Sequence, residues 1–396
     1  MKIKVTREIT VPDPMKLDRY RRLPELGPRI LFFSGGSALY NTSRSLLRYT
    51  HNSIHIVTPF DSGGSSAELR EAFDMPAIGD IRHRLMALAD QSYHGNPEIF
   101  ELFAHRLPKD SDRSTLREIL EQLASGKHPL VAKIPDPMRK LIRNHLKRFQ
   151  GYASESFDLR GASVGNLVLA AGYLDNRRHL DPVIFLFSKL AEVRGIVRPV
   201  VNRSYHLKVT LEDGTVIVGQ HRFTGKTTEK IVSRIVDIQL VGDTTDAAPA
   251  AVTIRKKTRA LISAAELICY PMGSFFSSLL ATLLPTGVGA AVAANGCPKV
   301  YIPNTGDDPE CEGMTLSDQV GQLLDHLRRD LPDSVQNRDL LNFILLDENP
   351  QHYRGRLDTT QLKASGIEVL RFPLVSDQTA PYIDAALITP VLLSLC

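Results

Sequence analysis

The chain is predicted to be an α/β protein: a Rossmann-like three-layer sandwich on a mostly parallel sheet, with a small β-hairpin region and an inserted helical segment. Three observations predict it. Short apolar runs of strand length alternate with helical patterns through most of the 396 residues, the pattern of a parallel sheet covered on both faces. Several of these runs end in Gly/Ser turns that lead straight into helices. Between residues 206 and 218, two alternating runs flank Glu212-Asp213-Gly214, and Asp-Gly in that setting turns a hairpin.

Residues 1–28 form an N-terminal arm. Ile3, Val5, Ile9 and Val11 alternate before a charged stretch at 16–22, so an added edge strand is expected there. No apolar signal core is seen in this arm. The α/β domain is expected over 29–396. The run 30–33 meets Ser34-Gly35-Gly36-Ser37 and a helical pattern with Leu39, Leu46 and Leu47 on one face. The glycines suit a turn. A second run, 54–57, leads to Asp61-Ser62-Gly63-Gly64-Ser65-Ser66 and a helix start at Ala67. Gly79-Asp80 then opens a helix at 81–90. Strand, Gly/Ser turn and helix in succession aim backbone N–H groups and a helix N-terminus at one point, where an anion binds. Local readings compete: Asp80 suits an N-cap and Asp61 an Asx-turn. The first loop lacks the third glycine of a dinucleotide fingerprint and the Gly-Lys-Ser/Thr of a Walker loop.

The helical insertion is expected at about 95–150, broken by Pro108, Pro129, Pro135 and Pro137. Its Arg139, Lys140, Arg143, Lys147 and Arg148 read as a solvated face, with a rim that attracts an anionic substrate as the alternative. Gly161-Ala162-Ser163-Val164-Gly165 matches G-x-S-x-G, but the residues before it are too polar for the buried strand of a nucleophile elbow. Ser163 also suits a helix cap. The β-hairpin region spans about 200–225, and 243–251 reads as a linker. Leu267 and Ile268 end a strand before Met272-Gly273-Ser274, a third Gly/Ser turn. Runs at 299–302, 342–346 and 366–371 continue the alternation, and 381–396 is a last helix or strand.

Composition excludes several classes. A net charge of +4 is too small to argue for nucleic acid. No run of eighteen apolar residues marks a membrane span. Cys269, Cys297, Cys311 and Cys396 lack C-x-x-C spacing, which disfavours zinc and suits a reducing cytoplasm.

The three loops carry a resemblance. Ser34-Gly35-Gly36-Ser37, Asp61-Ser62-Gly63-Gly64-Ser65-Ser66 and Gly79-Asp80-Ile81-Arg82 occur in that order. They resemble the phospholactate transferase (CofD)/YvcK family. Its YvcK-like members carry Gly-Gly-Gly-Thr-Gly, Asp-Asp-Gly-Gly-Ser-Ser and Gly-Asp-Ile-Arg. This chain departs at Ser34, Ser37, Ala38 and Phe60. The 161–166 segment is similar to the family's Gly-His-Ser-Ile-Gly-Asn, with Ala162 for histidine, and 271–278 to its Gly-Pro-Gly-Ser-Leu-Tyr-Thr-Ser. The resemblance covers most of the chain except the arm and the insertion.

What the resemblance implies is a CofD-like transferase. It would move a phosphoryl-linked group from a nucleoside diphosphate conjugate to an alcohol acceptor with Mg²⁺. An alcohol attacks phosphorus and a nucleoside monophosphate leaves, so the protein mainly aligns and neutralises charge. Asp61 and Asp80 would be the catalytic metal ligands. Gly35, Gly36, Ser37, Gly63, Gly64, Ser163, Asn166, Gly273, Ser274 and Asn304 would bind nucleotide and phosphate. The alternative is a non-catalytic YvcK-like regulator that binds a nucleotide or nucleotide sugar. The expected partner is a nucleoside diphosphate conjugate or nucleotide sugar, with no nucleic acid and no membrane, in the cytoplasm. A homodimer stays open as its assembly.

Overall fold

The computed structural model describes residues 8–92, 95–224, 231, 233–244 and 248–396. The chain begins with α1 (Pro14–Arg22), β1 (Ile30–Ser34), α2 (Tyr40–Leu46), β2 (Ile54–Val57), α3 (Gly64–Phe73) and α4 (Gly79–Ala87). Helices follow without a strand: α5 (Pro97–Ala104), α6 (Arg113–Ser125), α7 (Pro129–Ala132), α8 (Met138–Tyr152), α9 (Val164–Asp175) and α10 (Leu180–Leu190). Next come β3 (Ile196–Pro199), β4 (His206–Leu211), β5 (Val216–Val218), β6 (Ile235–Val241), α11 (Lys256–Ala264) and β7 (Leu267–Tyr270). A π-helical turn (Phe275–Leu280) runs into α12 (Ala281–Leu283), followed by α13 (Val288–Ala293) and β8 (Lys299–Tyr301). The chain ends with α14 (Leu316–Arg328), β9 (Phe343–Asp347), α15 (Thr359–Ala364), β10 (Glu368–Phe372) and α16 (Ala385–Ser394).

Seven described strands form one sheet in the order β10-β9-β8-β7-β1-β2-β3, and every pairing in it is parallel. The central strand β1 is buried along its whole length. Leu31 and Phe33 pack into one core, while Ile30 and Phe32 pack into another across the sheet. That period of two, apolar on both faces, is why the run lacks the polar alternation of an exposed strand. A third core joins α4, α9 and α10 to the insertion helices. There α6 buries Leu116, Leu120, Leu123 and Ala124 on one face. Asp112 caps its start by accepting from Thr115 N, and Gly126 at φ 84° ends it.

One expectation is corrected, one is extended and one is resolved. The described part of the arm is helical, not an edge strand, because Asp13 caps α1 and Pro14 opens it. Ile3 and Val5 lie outside the described residues. The hairpin of β4 and β5 gains a third strand, β6, antiparallel to β4. The chain end resolves as helix α16, which packs its apolar side under the sheet beside α2.

Candidate functional site

Along the chain the sheet grows one way from β1 to β2 and β3, then returns to place β7 on the other side of β1. A crevice opens at such a switch point, beyond the carboxyl ends of the strands. A cavity of about 520 Å³ lies there. Its walls come from the segments after β1, β2 and β7, the starts of α4 and α9, and Arg106, Gln220, His221 and Thr224. Gly35, Gly36, Ser37, Asp61, Gly63, Gly64, Asp80, Asn166, Gly273 and Ser274 all line it. Ten of the twelve residues expected to form the site are thus brought together, and Ser163 and Asn304 are not on its wall.

The first loop is tight because of its neighbours. Gly35 and Gly36 do not have positive φ angles, so turn geometry does not demand glycine. Close approach does: a β-carbon on Gly35 would sit 2.5 Å from Ser278 Oγ, and one on Gly36 would collide with Asp80 Oδ1. Beneath the loop lies Arg84, a fully buried arginine. Its guanidinium donates to Gly35 O at 2.9 Å, Gly36 O at 3.2 Å and Leu39 O at 3.1 Å, and to Ser43 Oγ. The loop carbonyls are therefore bound from the protein side. Burial holds Arg84 down to about 10, offset in part by Asp80, so it stays charged at neutral pH.

The second loop is held the same way. Arg70, also buried, donates to Phe60 O and Asp61 O at 3.0 Å each and to Tyr205 O at 2.6 Å. Asp61 Oδ1 accepts from Gly63 N at 2.9 Å, the Asx-turn expected of it. Its Oδ2 faces the start of α4, 3.8 Å from where a Gly79 β-carbon would be. Helix α3 begins at Gly64, with φ 55° and no side-chain cap. Asp80 is not an N-cap; it sits in the first turn of α4, which also lacks a side-chain cap. Carboxylate and helix terminus attract one another there.

Beyond Asp80, α4 presents Arg82 and His83 to the cavity. His83 stacks on Tyr40, ring centroids 5.1 Å apart. Burial, then Arg82, Arg84 and Arg106, push it down to about 4, so the imidazole is neutral. From the small sheet region, His221 Nδ1 meets Ser62 Oγ at 2.8 Å, tying that wall to the second loop.

The third loop departs from expectation. Gly273, at φ 139°, lines the cavity, but its N–H donates to Asn304 Oδ1 at 2.8 Å. Asn304 Nδ2 returns a bond to Gly273 O at 2.7 Å. Asn304 thus braces the loop from behind. The first N–H groups of the π-helical turn are also taken. Phe275 N donates to Asp308 Oδ2 at 2.9 Å, and Phe276 N and Ser277 N donate to Glu310 Oε2 at 2.8 Å each. These donors already have carboxyl acceptors within the chain. Ser163 is corrected too. Expected to bind nucleotide and phosphate, it is instead fully buried off the cavity wall, its Oγ donating to Phe103 O at 3.3 Å, and its side chain caps no helix. A bridge with Arg106 turns it inward.

Among the described residues no group of three or more His, Cys, Asp or Glu could enclose a metal. A hard cation carried by substrate phosphates needs only one or two carboxylates, and Asp61 with Asp80 fits that smaller set. The residues missing from the sequence reading are Arg70, Arg84, His83, Arg106 and His221. Arg84 lay within reach, two residues beyond Gly79-Asp80-Ile81-Arg82, but an arginine in a helix reads by default as solvent-facing.

Comparison with known proteins places this site in a family. The profile described as 2-phospho-L-lactate transferase CofD matches residues 30–375. The chain belongs to the CofD family. A gluconeogenesis factor of Bacillus subtilis is 28% identical over 361 residues, 88% of this chain and 92% of that protein. A putative gluconeogenesis factor of Deinococcus radiodurans is 28% identical over 317 residues, 80% of this chain but 54% of its own length. The chain thus spans about half of that relative. Two crystal structures of a Bacillus halodurans protein, one described as a UPF0052 family member, superpose with TM-scores of 0.68 and 0.67. They are 24% and 25% identical, over 93% of this chain and 99% of theirs, and they share the fold. No described helix is long and apolar enough to cross a membrane.

Proposed function

We propose that the chain moves a phosphoryl-linked group from a nucleoside diphosphate conjugate to an alcohol acceptor, with Mg²⁺ at Asp61 and Asp80. The carrying observation is the company those carboxylates keep. Both line one cavity with the uncapped starts of α3 and α4, beside two loops whose carbonyls are drawn away by Arg84 and Arg70. Such a site accepts a diphosphate on backbone donors and a cation on its carboxylates. When bound, the cation supplies charge neutralisation between donor phosphates. Asp61 and Asp80 hold and orient it, the first and second loops position the diphosphate, and neutral His83 stands within the cavity as a hydrogen-bonding partner. The acceptor oxygen forms the new bond to phosphorus and gives up its proton to solvent, the bridging P–O bond breaks, and a nucleoside monophosphate leaves with the bonding pair.

A second reading has its own support. The third loop's donors are already occupied by Asp308, Glu310 and Asn304, and relatives are called gluconeogenesis factors. A regulator that binds the conjugate without turning it over fits both facts. One experiment separates the two. Asp61→Asn and Asp80→Asn are expected to abolish Mg²⁺-dependent nucleotide binding while circular dichroism shows an intact fold. Wild-type protein incubated with nucleoside diphosphate conjugates and alcohol acceptors is expected to release nucleoside monophosphate. Binding without release assigns the regulator, and unchanged binding by both variants removes the metal site.

A further inference from the structure

We propose that Arg82 and Arg106, backed by the start of α9, form an oxyanion subsite separate from the carboxylate pole. It takes a carboxylate or phosphate carried by the half of the ligand beyond its diphosphate. This rests on reading the cavity as a site for a nucleotide conjugate.

The Asp80 carboxylate acts on Arg82 through space and offsets part of its burial, but it makes no ion pair with it among the described residues. Arg82 is only 8% exposed, yet among the described residues its guanidinium makes one hydrogen bond, Nη1 to Phe103 O at 3.4 Å. Its Nε is buried with no partner among the described residues. A buried cation so poorly paired costs free energy unless something compensates it. Arg106 reaches the same cavity from the segment joining α5 to α6, and its one hydrogen bond among the described residues is Nη1 to Gly161 O at 3.0 Å. Neither arginine is in an ion pair among the described residues. Two like charges facing one cavity repel, and an anion between them removes the repulsion.

The backing is built from the segment that resembled a nucleophile elbow. A β-carbon on Gly165 would lie 2.9 Å from Arg82 Cδ and 2.8 Å from Phe103 O. That glycine is needed so the arginine stem can lie against α9. Next to it Asn166, 1% exposed, gives Nδ2 to Ser65 Oγ at 3.3 Å and leaves Oδ1 without a donor. Asp80 and Arg82 are two apart on α4, so they point to different sides of the helix. The carboxylate pole and the arginine pole therefore occupy different parts of one cavity.

Calorimetry on the full chain tests this. In EDTA, inorganic phosphate or malonate is expected to bind wild-type protein with Kd on the order of 1 mM. Arg106→Ala, a change at an exposed residue, is expected to weaken it about tenfold, and Arg82→Gln at least as much. Asp61→Asn/Asp80→Asn is expected not to weaken it. A response to phosphate alone assigns a phosphate, and a response to malonate assigns a carboxylate. The same anion is expected to bind when uridine, guanosine or adenosine diphosphate saturates the protein with Mg²⁺. No binding of either anion, equal binding by Arg106→Ala, or displacement by the nucleotide would overturn the subsite. If no nucleotide binds but Arg106→Ala still weakens anion binding, the subsite stands and the nucleotide reading falls.

Discussion

At the scale of single residues, the site depends on two buried arginines that bind no ligand. Arg84 and Arg70 each gather the carbonyl oxygens of a glycine-rich loop. A peptide whose carbonyl points into the protein turns its N–H the other way, so each arginine orients donors toward the cavity. A lysine offers one compact charge in place of a planar fork. Arg84→Lys is expected to leave one or two of its carbonyl partners unpaired, at about 1–3 kcal/mol each. Urea unfolding should show that loss, and calorimetry should show about tenfold weaker nucleotide binding. Full stability with full affinity would mean that the fork does not set the loop. The glycines of this loop were legible in the sequence, but not the reason for them. Gly35 and Gly36 are required by Ser278 and Asp80, which approach from 243 and 44 residues further along the chain. Local spacing carries no record of such approaches.

At the scale of elements, strands were the most legible because β1, β2 and β7 are buried on both faces and mostly apolar. Strand β6 was missed, since its partner β4 lies across a long connection and no turn signal marks the pairing. The third loop looked like the other two and behaves differently. Its helix start is closed by Glu310, an acid 2% exposed and 33 residues away from Ser277. Burial and then the Asp308 charge push Glu310 up to about 8, and burial raises Asp308 as well. The folded chain thus holds the Glu310 proton to higher pH than the unfolded chain does. The stabilisation is complete below the ordinary carboxylate range and is lost as pH rises through about 8. Unfolding free energy is expected to fall between pH 5 and pH 8.5, and Glu310→Gln should flatten that slope. A wild-type profile that rises with pH over the same interval would contradict the assignment.

At the scale of the molecule, the cavity lies where the sheet reverses direction, so the shape of the proposed ligand would follow from which strand ends offer donors. The sequence pointed to nucleotide and phosphate contacts on all three loops, with a metal at Asp61 and Asp80. Asn304, Asp308 and Glu310 take the Gly273, Phe275, Phe276 and Ser277 N–H groups of the third loop, so the proposed phosphates fall to the first and second. Two nests beside two carboxylates still suit a diphosphate with its cation better than a single phosphate. Binding to the native state alone stabilises by about 2.7 kcal/mol at a ligand concentration 100 times Kd. A nucleoside diphosphate with Mg²⁺ is therefore expected to raise the melting temperature at micromolar concentrations. Inorganic phosphate should need millimolar concentrations for the same shift. Glu310→Gln alters only the acceptor behind the third loop and leaves the first two untouched, so the nucleotide-induced shift should survive in that variant. If the shift disappears there, the diphosphate lies on the third loop after all. Equal potency of phosphate and nucleotide in wild-type protein would reduce the loops to turns.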